Sequence, residues 1–439
     1  MIFKQVLKRI FWALPISGKM KTQISQKRFE RILAKEKKYD EKGCVPLSDN
    51  GGECSEYVKY ILSSYGKKSE YYMPYKEHDA NDNGITLAAY YLTQYYPNSQ
   101  NDEWWGKGTT EWNNVIQAVP QYVGHYQPKK PGELGYYDLR LKENMERQIE
   151  LAHNYGINAF CFYHYWFDGR PMLEKPLNMF LNNPDLDMKF FYCWANENWT
   201  RRFSGTNDDV LMRITQTTDN YKRYIYSVIE AMKDERYYRM DSKPVLSVYR
   251  PSLIPDCEEV ITEWRRIVRQ ELSTEIYLIA VLEKDTHTNW TSKGFDAESE
   301  FQPKQVLDYA QIDNSVTPIR KDFSGSIYDY RDLVENQKYK KNHDINRKLY
   351  PAVMPFWDNS ARRNFRGTIF EGSTPALYEK WLSDCISYVK NNEKIDNLVF
   401  INAWNEWGEG AYLEPDGNYG YAYLEATYSV LNNENNGKE

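Results

Sequence analysis

The sequence lacks the motifs that identify most metal, nucleotide and thiol chemistry. Its six histidines form no H-E-x-x-H or H-x-x-x-H pattern, which argues against a catalytic zinc ion. No G-x-G-x-x-G follows the first predicted strand, and no G-x-x-x-x-G-K-[ST] occurs. The six cysteines include no C-x-x-C pair, and Cys161 and Cys193 lie in apolar runs, which favours reduced thiols and a cytoplasmic location. We therefore predict neither a metal nor another cofactor.

Positive charge is scarce outside the first residues of the chain. The 439 residues carry a net charge of −6, so no basic surface for nucleic acid is predicted. Residues 1–42 hold twelve Lys/Arg against four Asp/Glu, a net of +8 that leaves −14 for the remainder. Within residues 1–16 apolar side chains recur at helical spacing between basic ones. Two interpretations stay open: peripheral contact with the inner face of a membrane, or a helix docked on its own domain.

Aromatic residues are abundant, with 38 tyrosines and 13 tryptophans. Such a density suits surfaces that stack on sugar rings, and an aromatic-rich core is the alternative for any single ring. The hydrophobic content of 41% is sufficient for a large packed core.

Apolar strands alternate with helical patterns from Gly84 onward, whereas residues 1–83 read as a helical, basic extension. Eight strands are predicted, at 85–91, 157–163, 188–194, 244–249, 276–282, 296–300, 350–355 and 398–403. Helical patterns lie near 138–154, 173–182, 218–236, 256–272, 374–392 and 419–433. This alternation predicts an α/β fold, a (β/α)₈ barrel over residues 84–439. A doubly wound open sheet is the competing architecture.

Polar and aromatic residues follow most of these strands, where a barrel builds its site. Together with a long segment at 103–131, which is expected to cover the site, they supply our candidate substrate-binding residues. These are Tyr90, Tyr91, Trp105, Glu111, Trp112, His125, Tyr163, His164, Tyr165, Trp166, Trp194, Asn196, Glu197, Asn198, Trp199, Tyr249, Glu283, Trp357, Asp358, Trp404, Asn405 and Trp407. Each of them has a purely structural alternative.

The strongest catalytic candidates are Glu406 and Glu409, three residues apart directly after the last strand. One carboxylate that moves a proton and a second that stabilises or forms an oxocarbenium-like centre are what glycosidic-bond chemistry requires. Trp404 and Trp407 flank the pair and could stack on a sugar. A solvated acidic loop is the alternative.

Two further features have more than one interpretation. His164 suits a sugar contact or a packed side chain better than an acid, a base or a metal ligand. Arg201 and Arg202 after the third strand could bind a phosphate or a sugar carboxylate, or form a structural ion pair.

Six motifs in order resemble the WbsX-like proteins of bacterial O-antigen and capsule biosynthesis, which are related to family 99 of the glycoside hydrolases. They are Trp105-Gly-Lys-Gly-x-x-Glu-Trp112, Gly124-His-x-Gln-Pro128, Tyr137-Asp-Leu139, Phe162-Tyr-His-Tyr-Trp166, Trp194-Ala-Asn-Glu-Asn-Trp199 and Asn402-Ala-Trp-Asn-Glu-Trp407. The resemblance covers about residues 84–433.

The family 99 resemblance implies a (β/α)₈ barrel, α-mannoside substrates and retention of configuration without a metal. Its pattern is Glu-Trp-His-Glu, in which the first Glu is a base on the sugar's own 2-hydroxyl and the second an acid/base on the leaving oxygen. Those roles fall on Glu406 and Glu409. This chain has Gly408 in place of the histidine, and its Glu414-Pro415 matches a downstream Glu-Pro.

Three functional hypotheses follow. The first is retaining cleavage or transfer at a mannose-like glycoside, on an oligosaccharide or a lipid-linked glycan. The second is transfer from a sugar nucleotide, for which Arg201, Arg202 and the basic N-terminal helix are the support. The third is sugar binding without catalysis, against which the carboxylate pair argues.

Overall fold

Eight parallel strands form the wall of a barrel in the computed structural model, which describes residues 66–78, 84–200, 210–282, 287–312, 316–319, 322–344 and 346–436. The strands are β1 (Thr86–Tyr91), β2 (Ala159–Phe167), β3 (Lys189–Trp194), β4 (Lys243–Val248), β5 (Tyr277–Val281), β6 (Ala297–Ser299), β7 (Leu349–Tyr350 and Ala352–Val353) and β8 (Leu398–Ile401). Each of the eight predicted strands is present, and the (β/α)₈ barrel is confirmed.

The seventh strand closes the barrel in two halves. Tyr350 pairs with Ser299 of β6, and Val353 pairs with Ile401 of β8. Pro351 separates the halves because it has no N–H to donate, while its carbonyl accepts from Phe400 N–H at 3.0 Å.

Ten α-helices lie in the described part of the chain, and most of them cross over between consecutive strands. They are α1 (Ser99–Trp105), α2 (Glu111–Gln117), α3 (Lys142–Asn154), α4 (Lys175–Leu181), α5 (Thr218–Met232), α6 (Cys257–Leu272), α7 (Tyr330–Glu335), α8 (Ser360–Arg363), α9 (Pro375–Lys390) and α10 (Ala422–Asn436). The segment 103–131, predicted only to be a functional loop, contains α2 and the end of α1. Short helices of this kind have too few turns to show a periodic pattern.

Shorter elements complete the architecture. Extra strands occur at Arg170–Met172, Trp199–Thr200, Val210–Met212, Arg239–Met240, Ser326–Asp329, Trp357–Asp358, Thr368–Glu371, Asn405–Glu406 and Ala411–Tyr412. Single 3-10 turns lie at Pro251–Leu253, Trp290–Lys293, Lys338–Asn342, Asn364–Arg366 and Trp407–Glu409.

Side chains alternate along β2 between the barrel interior and the helix layer, as strand geometry requires. Tyr163 stacks on Tyr90 inside the barrel, with ring centroids 5.4 Å apart. Phe162 instead packs against Phe180 of α4, 5.4 Å away. This alternation decides which residues of an aromatic run reach the mouth of the barrel.

The residues before the barrel are described only in part. Met73 pairs with Gly420 just before α10, and His78 Nε2 lies 3.2 Å from Glu425 Oε1 on that helix. The predicted basic helix in residues 1–16 lies outside the described residues, and the predicted boundary between Asn83 and Gly84 stays a prediction. No α-helix in the described ranges combines the length and apolarity needed to cross a bilayer.

Aromatic rings fill the space between β3 and the helices outside it. Trp194 stacks on Tyr224 of α5 with centroids 3.9 Å apart, and Trp264 of α6 lies 5.8 Å from Trp194. The Trp264 Nε1–H donates to the Tyr221 carbonyl at 2.8 Å. These contacts fasten two helices to one strand.

The Trp264→Ala substitution is expected to lower the free energy of unfolding by about 3–5 kcal/mol, because it leaves a buried cavity and an unpaired carbonyl. Urea unfolding of the whole chain measures this loss. Tyr226→Ala is the matched control, since this α5 side chain is 49% exposed and should cost less than about 0.5 kcal/mol. A Trp264→Ala loss as small as the control's would contradict the packing described here.

Candidate active site

Three carboxylates converge on one guanidinium at the C-terminal mouth of the barrel. Arg362 Nε donates to Glu111 Oε1 at 2.7 Å, and its Nη2 donates to Glu406 Oε2 at 2.8 Å. Its Nη1 lies 2.8 Å from Glu409 Oε1. Glu111 opens α2 after β1, Arg362 belongs to α8 after β7, and the pair follows β8. The structure thus brings Glu406 and Glu409 together with Glu111 on neighbouring segments of the mouth.

The loop that carries the pair is fixed on both sides. Asn405 accepts from Leu92 N–H at 2.7 Å and donates to the Leu92 carbonyl at 3.0 Å, which ties the loop to the end of β1. Trp407 stacks on Tyr412 with ring centroids 3.7 Å apart. The 3-10 turn Trp407–Glu409 ends at Gly410 in the left-handed region. Both carboxylates therefore start from a rigid backbone.

Burial and charge set the protonation of this cluster. Burial raises the pKa of Glu406 to about 8; Arg362 lowers this pKa, whereas Glu409 and Glu111 raise it. Burial likewise raises the pKa of Glu111. The Glu409 side chain is 25% exposed and is the most accessible of the three. With three carboxylates around one cation, the cluster favours retention of a proton, and a pKa of about 8 leaves only part of Glu406 ionised at neutral pH.

Glu414 supports the pair from beneath. Its carboxylate accepts from Trp407 Nε1 at 2.6 Å, from Tyr137 Oη at 2.9 Å and from Gln148 Nε2 at 2.5 Å. Burial raises its pKa to about 7, against the lowering effect of these donors. Glu414 therefore holds the indole that follows Glu406.

Aromatic rings line the neighbouring part of the mouth. Burial raises the pKa of Tyr163 and of Tyr165 well above the usual range, and the nearby Glu406 carboxylate raises both further. The ring centroid of Trp199 lies 5.2 Å from that of Tyr165 and 5.9 Å from that of Trp104. Tyr165, Trp199 and Trp104 are each half-buried. We call these three residues the aromatic wall.

Three other candidates from the same strands point into the helix layer. Tyr91 packs on Phe160 and Phe162. Trp166 and Trp194 both contact Tyr224. The structure does not bring these rings to the carboxylates.

His164 lies in that layer as well, stacked on Tyr192 with centroids 4.7 Å apart. Burial lowers its pKa to about 4, so the ring is neutral. The structure places it as a packed side chain, away from the acidic cluster.

The tryptophans closest to the pair in sequence are buried completely. Trp404 packs on Phe160, and Trp407 lies between Tyr412 and Trp112. Trp112 donates from Nε1 to the Tyr137 carbonyl at 2.8 Å. None of the three indoles presents an open face for a sugar.

The polar residues after β3 bind backbone groups and the side chain of Arg250. Asn196 accepts from Arg250 N–H at 2.7 Å and donates to the Arg250 carbonyl at 2.8 Å. Glu197 Oε1 accepts from Arg250 Nη1 at 2.6 Å, and Asn198 accepts from Ile214 N–H at 2.9 Å. They shape the rim beside Trp199.

His125 and Asp358 form a second support, for the segment that carries Arg362. His125 Nδ1 accepts from Gln121 N–H at 3.0 Å, so its proton is on Nε2, which donates to Asp358 Oδ2 at 2.8 Å. Asp358 Oδ1 accepts from Ser360 N–H at 3.0 Å at the start of α8. This pair holds α8 over the mouth.

The remaining candidates are placed as follows. Tyr90 is interior, stacked on Phe400, and Tyr249 is half-buried against Phe301. Trp105 is half-buried at the end of α1, and Trp357 is buried in a strand beside Phe370. Glu283, Arg201 and Arg202 lie outside the described residues. Within the described ranges no group of three His, Cys, Asp or Glu is arranged to hold a metal ion.

Arg362 is the member of this ion cluster that the sequence analysis missed. The sequence places Arg362 shortly after Asp358 and beyond the seventh strand, and two carboxylates follow the eighth strand. A buried carboxylate pair needs a nearby cation, which would have directed attention to this arginine.

The chain is a (β/α)₈-barrel protein with an acidic cluster at the mouth of the barrel, and comparison with known proteins identifies its family. The sequence pattern of the family described as Glycosyltransferase WbsX matches residues 87–427, and the chain belongs to this family. Two WxcX proteins, from strains B100 and ATCC 33913 of Xanthomonas campestris pv. campestris, are each 40% identical over 351 residues. The match covers 79% of this chain and 49% of each relative, so the chain spans about half their length.

Solved structures show the same barrel. A glycoside hydrolase-like protein has a TM-score of 0.53 and 16% identity over 82% of this chain and 97% of its own. The GH99 endo-alpha-mannosidase from Bacteroides thetaiotaomicron has a TM-score of 0.51 and 14% identity over 81% and 99%. At these identities the likeness shows the fold. Family membership and this fold together support a carbohydrate-active enzyme.

Replacing Glu414 with Gln is expected to change how stability depends on pH. The folded-state pKa of about 7 exceeds the ordinary value of 4.5, so the folded protein binds the proton more tightly than the unfolded chain. Stability from this group is therefore complete at low pH and falls as pH rises from about 4.5 to 7. Glu414→Gln should remove this part of the decline, measured by urea unfolding at pH 5, 6 and 7. Parallel curves for the two proteins would refute this assignment.

Proposed function

We propose that this chain cleaves or transfers mannose-like α-glycosides with retention of configuration and without a metal, in the metabolism of a bacterial surface polysaccharide or its lipid-linked precursor. The observation that carries the proposal is the convergence of Glu406, Glu409 and Glu111 at the mouth of the barrel. The resemblance to family 99 supplies the substrate class, and the WbsX family supplies the polysaccharide context.

The reactive form of the site has Glu406 ionised and Glu409 protonated, and a Glu406 pKa of about 8 keeps part of this carboxylate ionised at neutral pH. In the proposed reaction ionised Glu406 takes the proton of the sugar's 2-hydroxyl, and that oxygen attacks the anomeric carbon from the face opposite the leaving group. Glu409 donates a proton to the leaving oxygen as the glycosidic bond breaks, which gives a 1,2-anhydro sugar. Glu409 then removes a proton from water or an acceptor hydroxyl as that oxygen attacks the anomeric carbon. The bond between the anomeric carbon and the 2-oxygen breaks, and Glu406 returns its proton to the 2-oxygen. Two inversions retain the configuration.

The geometry fits this division of labour. Glu409 is the more exposed carboxylate and suits a leaving group and an acceptor that arrive from solvent. The aromatic wall provides rings on which neighbouring sugars stack. The described cluster has more carboxylates than cations, which favours a neutral glycan over an anionic donor.

Transfer from a sugar nucleotide is the second candidate, and the description of the family as a glycosyltransferase favours it. Its pyrophosphate would need cations that the described acidic cluster does not supply. Arg201 and Arg202 remain the sequence candidates for that role.

The Glu406→Gln and Glu409→Gln variants are each expected to lose about 10²–10⁴-fold in kcat/KM on α-mannosides, because each removes a proton-transfer group. Glu230→Gln is the control, since its carboxylate is 81% exposed on the surface of α5. Binding of the sugar, followed by calorimetry, should survive in both site variants. Unchanged turnover in both would exclude the assignment.

Substrate choice separates the two candidate reactions. Purified protein is expected to release product from α-mannoside oligosaccharides with the same anomeric configuration as the substrate, observed by proton NMR at early times. Nucleotide sugars titrated in parallel should neither bind tightly nor react. Product formed only from a nucleotide sugar would establish the transferase instead.

A further inference from the structure

Arg362 has a position in this site that its charge alone does not explain. Each of its three nitrogens faces a different carboxylate, at 2.7 Å for Glu111 and 2.8 Å for both Glu406 and Glu409. A guanidinium is planar and rigid, so three acceptors bound to it are fixed relative to one another. The Arg362 side chain is 21% exposed, whereas that of Glu111 is 0% exposed.

We propose that Arg362 is the positioning residue of the reaction, which holds Glu406 and Glu409 at their working separation, and that Glu111 anchors it through space that Gly408 leaves open. This inference rests on the proposed function for the roles of the two glutamates. It assigns functions to Arg362, Glu111 and Gly408 that the carboxylate pair does not imply.

The anchor is rigid because α2 begins at Glu111. Thr110 caps this helix: its side chain accepts from Trp112 N–H at 3.2 Å, and Asn113 Oδ1 accepts from Thr110 N–H at 2.8 Å. The Glu111 carboxylate is thereby aimed at Arg362 from a fixed start of helix. Losing one partner of a buried ion pair is costly, so α2 and α8 are held together by this contact.

Gly408 leaves the space that the ion pair of Glu111 and Arg362 occupies. A Cβ at this position would lie 1.8 Å from Glu111 Oε1 and 2.9 Å from Arg362 Nε. No left-handed backbone requires glycine here, so the need is for space and not for conformation. The histidine of the family 99 pattern would occupy the volume that the Glu111–Arg362 pair fills. A side chain at position 408 is therefore incompatible with the Glu111–Arg362 contact in this chain.

Removal of the Arg362 charge and removal of the Glu111 charge should shift the pKa of Glu406 in opposite directions. Glu406 is faced by Arg362, Glu409 and Glu111, and by the hydroxyls of Tyr95, Tyr163 and Tyr165. Loss of the cation disfavours ionised Glu406, and loss of the Glu111 charge favours it. These opposite shifts test whether both charges face Glu406, and a variant that keeps the charge of Arg362 but not its shape tests the positioning role.

The first test compares Arg362→Met, Arg362→Lys and Glu111→Gln by the pH dependence of kcat/KM and by carbon-13 NMR titration of the labelled glutamate carboxyls. Arg362→Met should lose about 10²-fold in kcat, the cost of a small misplacement, and move the Glu406 titration to higher pH. Glu111→Gln should move it to lower pH. Arg362→Lys should leave the titration near its original position but lose a similar factor in kcat, because one ammonium cannot hold three carboxylates in a plane.

Arg265→Met and Glu298→Gln are the matched controls. Arg265 is 18% exposed and bound to Asp296, and Glu298 is a buried carboxylate paired with Arg347. Neither should move the Glu406 titration. Shifts in the same direction for Arg362→Met and Glu111→Gln, or full activity of Arg362→Lys, would overturn the proposal. The NMR titration does not depend on turnover, so failure of the proposed reaction and failure of this inference are distinguishable.

The second test measures the coupling between Gly408 and Glu111 by thermal unfolding. Gly408→Ala alone should lower the unfolding midpoint, whereas the same change in a Glu111→Ala background should lower it much less, because the clashing carboxylate is absent. Gly417→Ala is the control, since its Cβ would meet nothing closer than 3.6 Å. Equal cost of Gly408→Ala in both backgrounds would contradict the role assigned to Gly408.

Discussion

The ion cluster around Arg362 is the interaction on which the rest of the site depends. Glu111, Arg362 and the Glu406–Glu409 turn come from the segments after β1, β7 and β8, which are consecutive around the barrel wall. Only when these three segments share one guanidinium are the carboxylates brought to one place. The positive charge of Arg362 is shared among three carboxylates, so the cluster is stabilised as a network and not as one ion pair.

The mouth of the barrel is consequently divided in two. The acidic cluster occupies the side above β7, β8 and β1, and the aromatic wall of Tyr165, Trp199 and Trp104 adjoins it on the side of β2 and β3. The proton transfer and the ring stacking of the proposed reaction therefore fall on different parts of the rim. Trp404, Trp407 and Trp112 serve this division indirectly, as packing beneath the cluster.

The strands and most crossover helices follow from periodicity in the sequence, since their apolar runs are long and bounded by turn residues. The positions of Glu406 and Glu409 also follow, because the end of a barrel strand fixes where the next residues lie. The orientation of single aromatic residues did not follow: Tyr163 and His164 are neighbours, yet they face opposite sides of the wall. Arg362 was beyond reach because its contact with Glu111 joins residues 251 positions apart.

The interruption of β7 at Pro351 has a consequence for this site. The strand that precedes Arg362, β7, consists of two short halves in place of one continuous ladder, so few backbone hydrogen bonds join it to its neighbours. The barrel wall therefore does little to fix the position of α8. The hydrogen bonds of His125 and Gln127 to Asp358 hold α8 in place instead. A substitution that removes these bonds would therefore displace Arg362 while leaving the barrel intact.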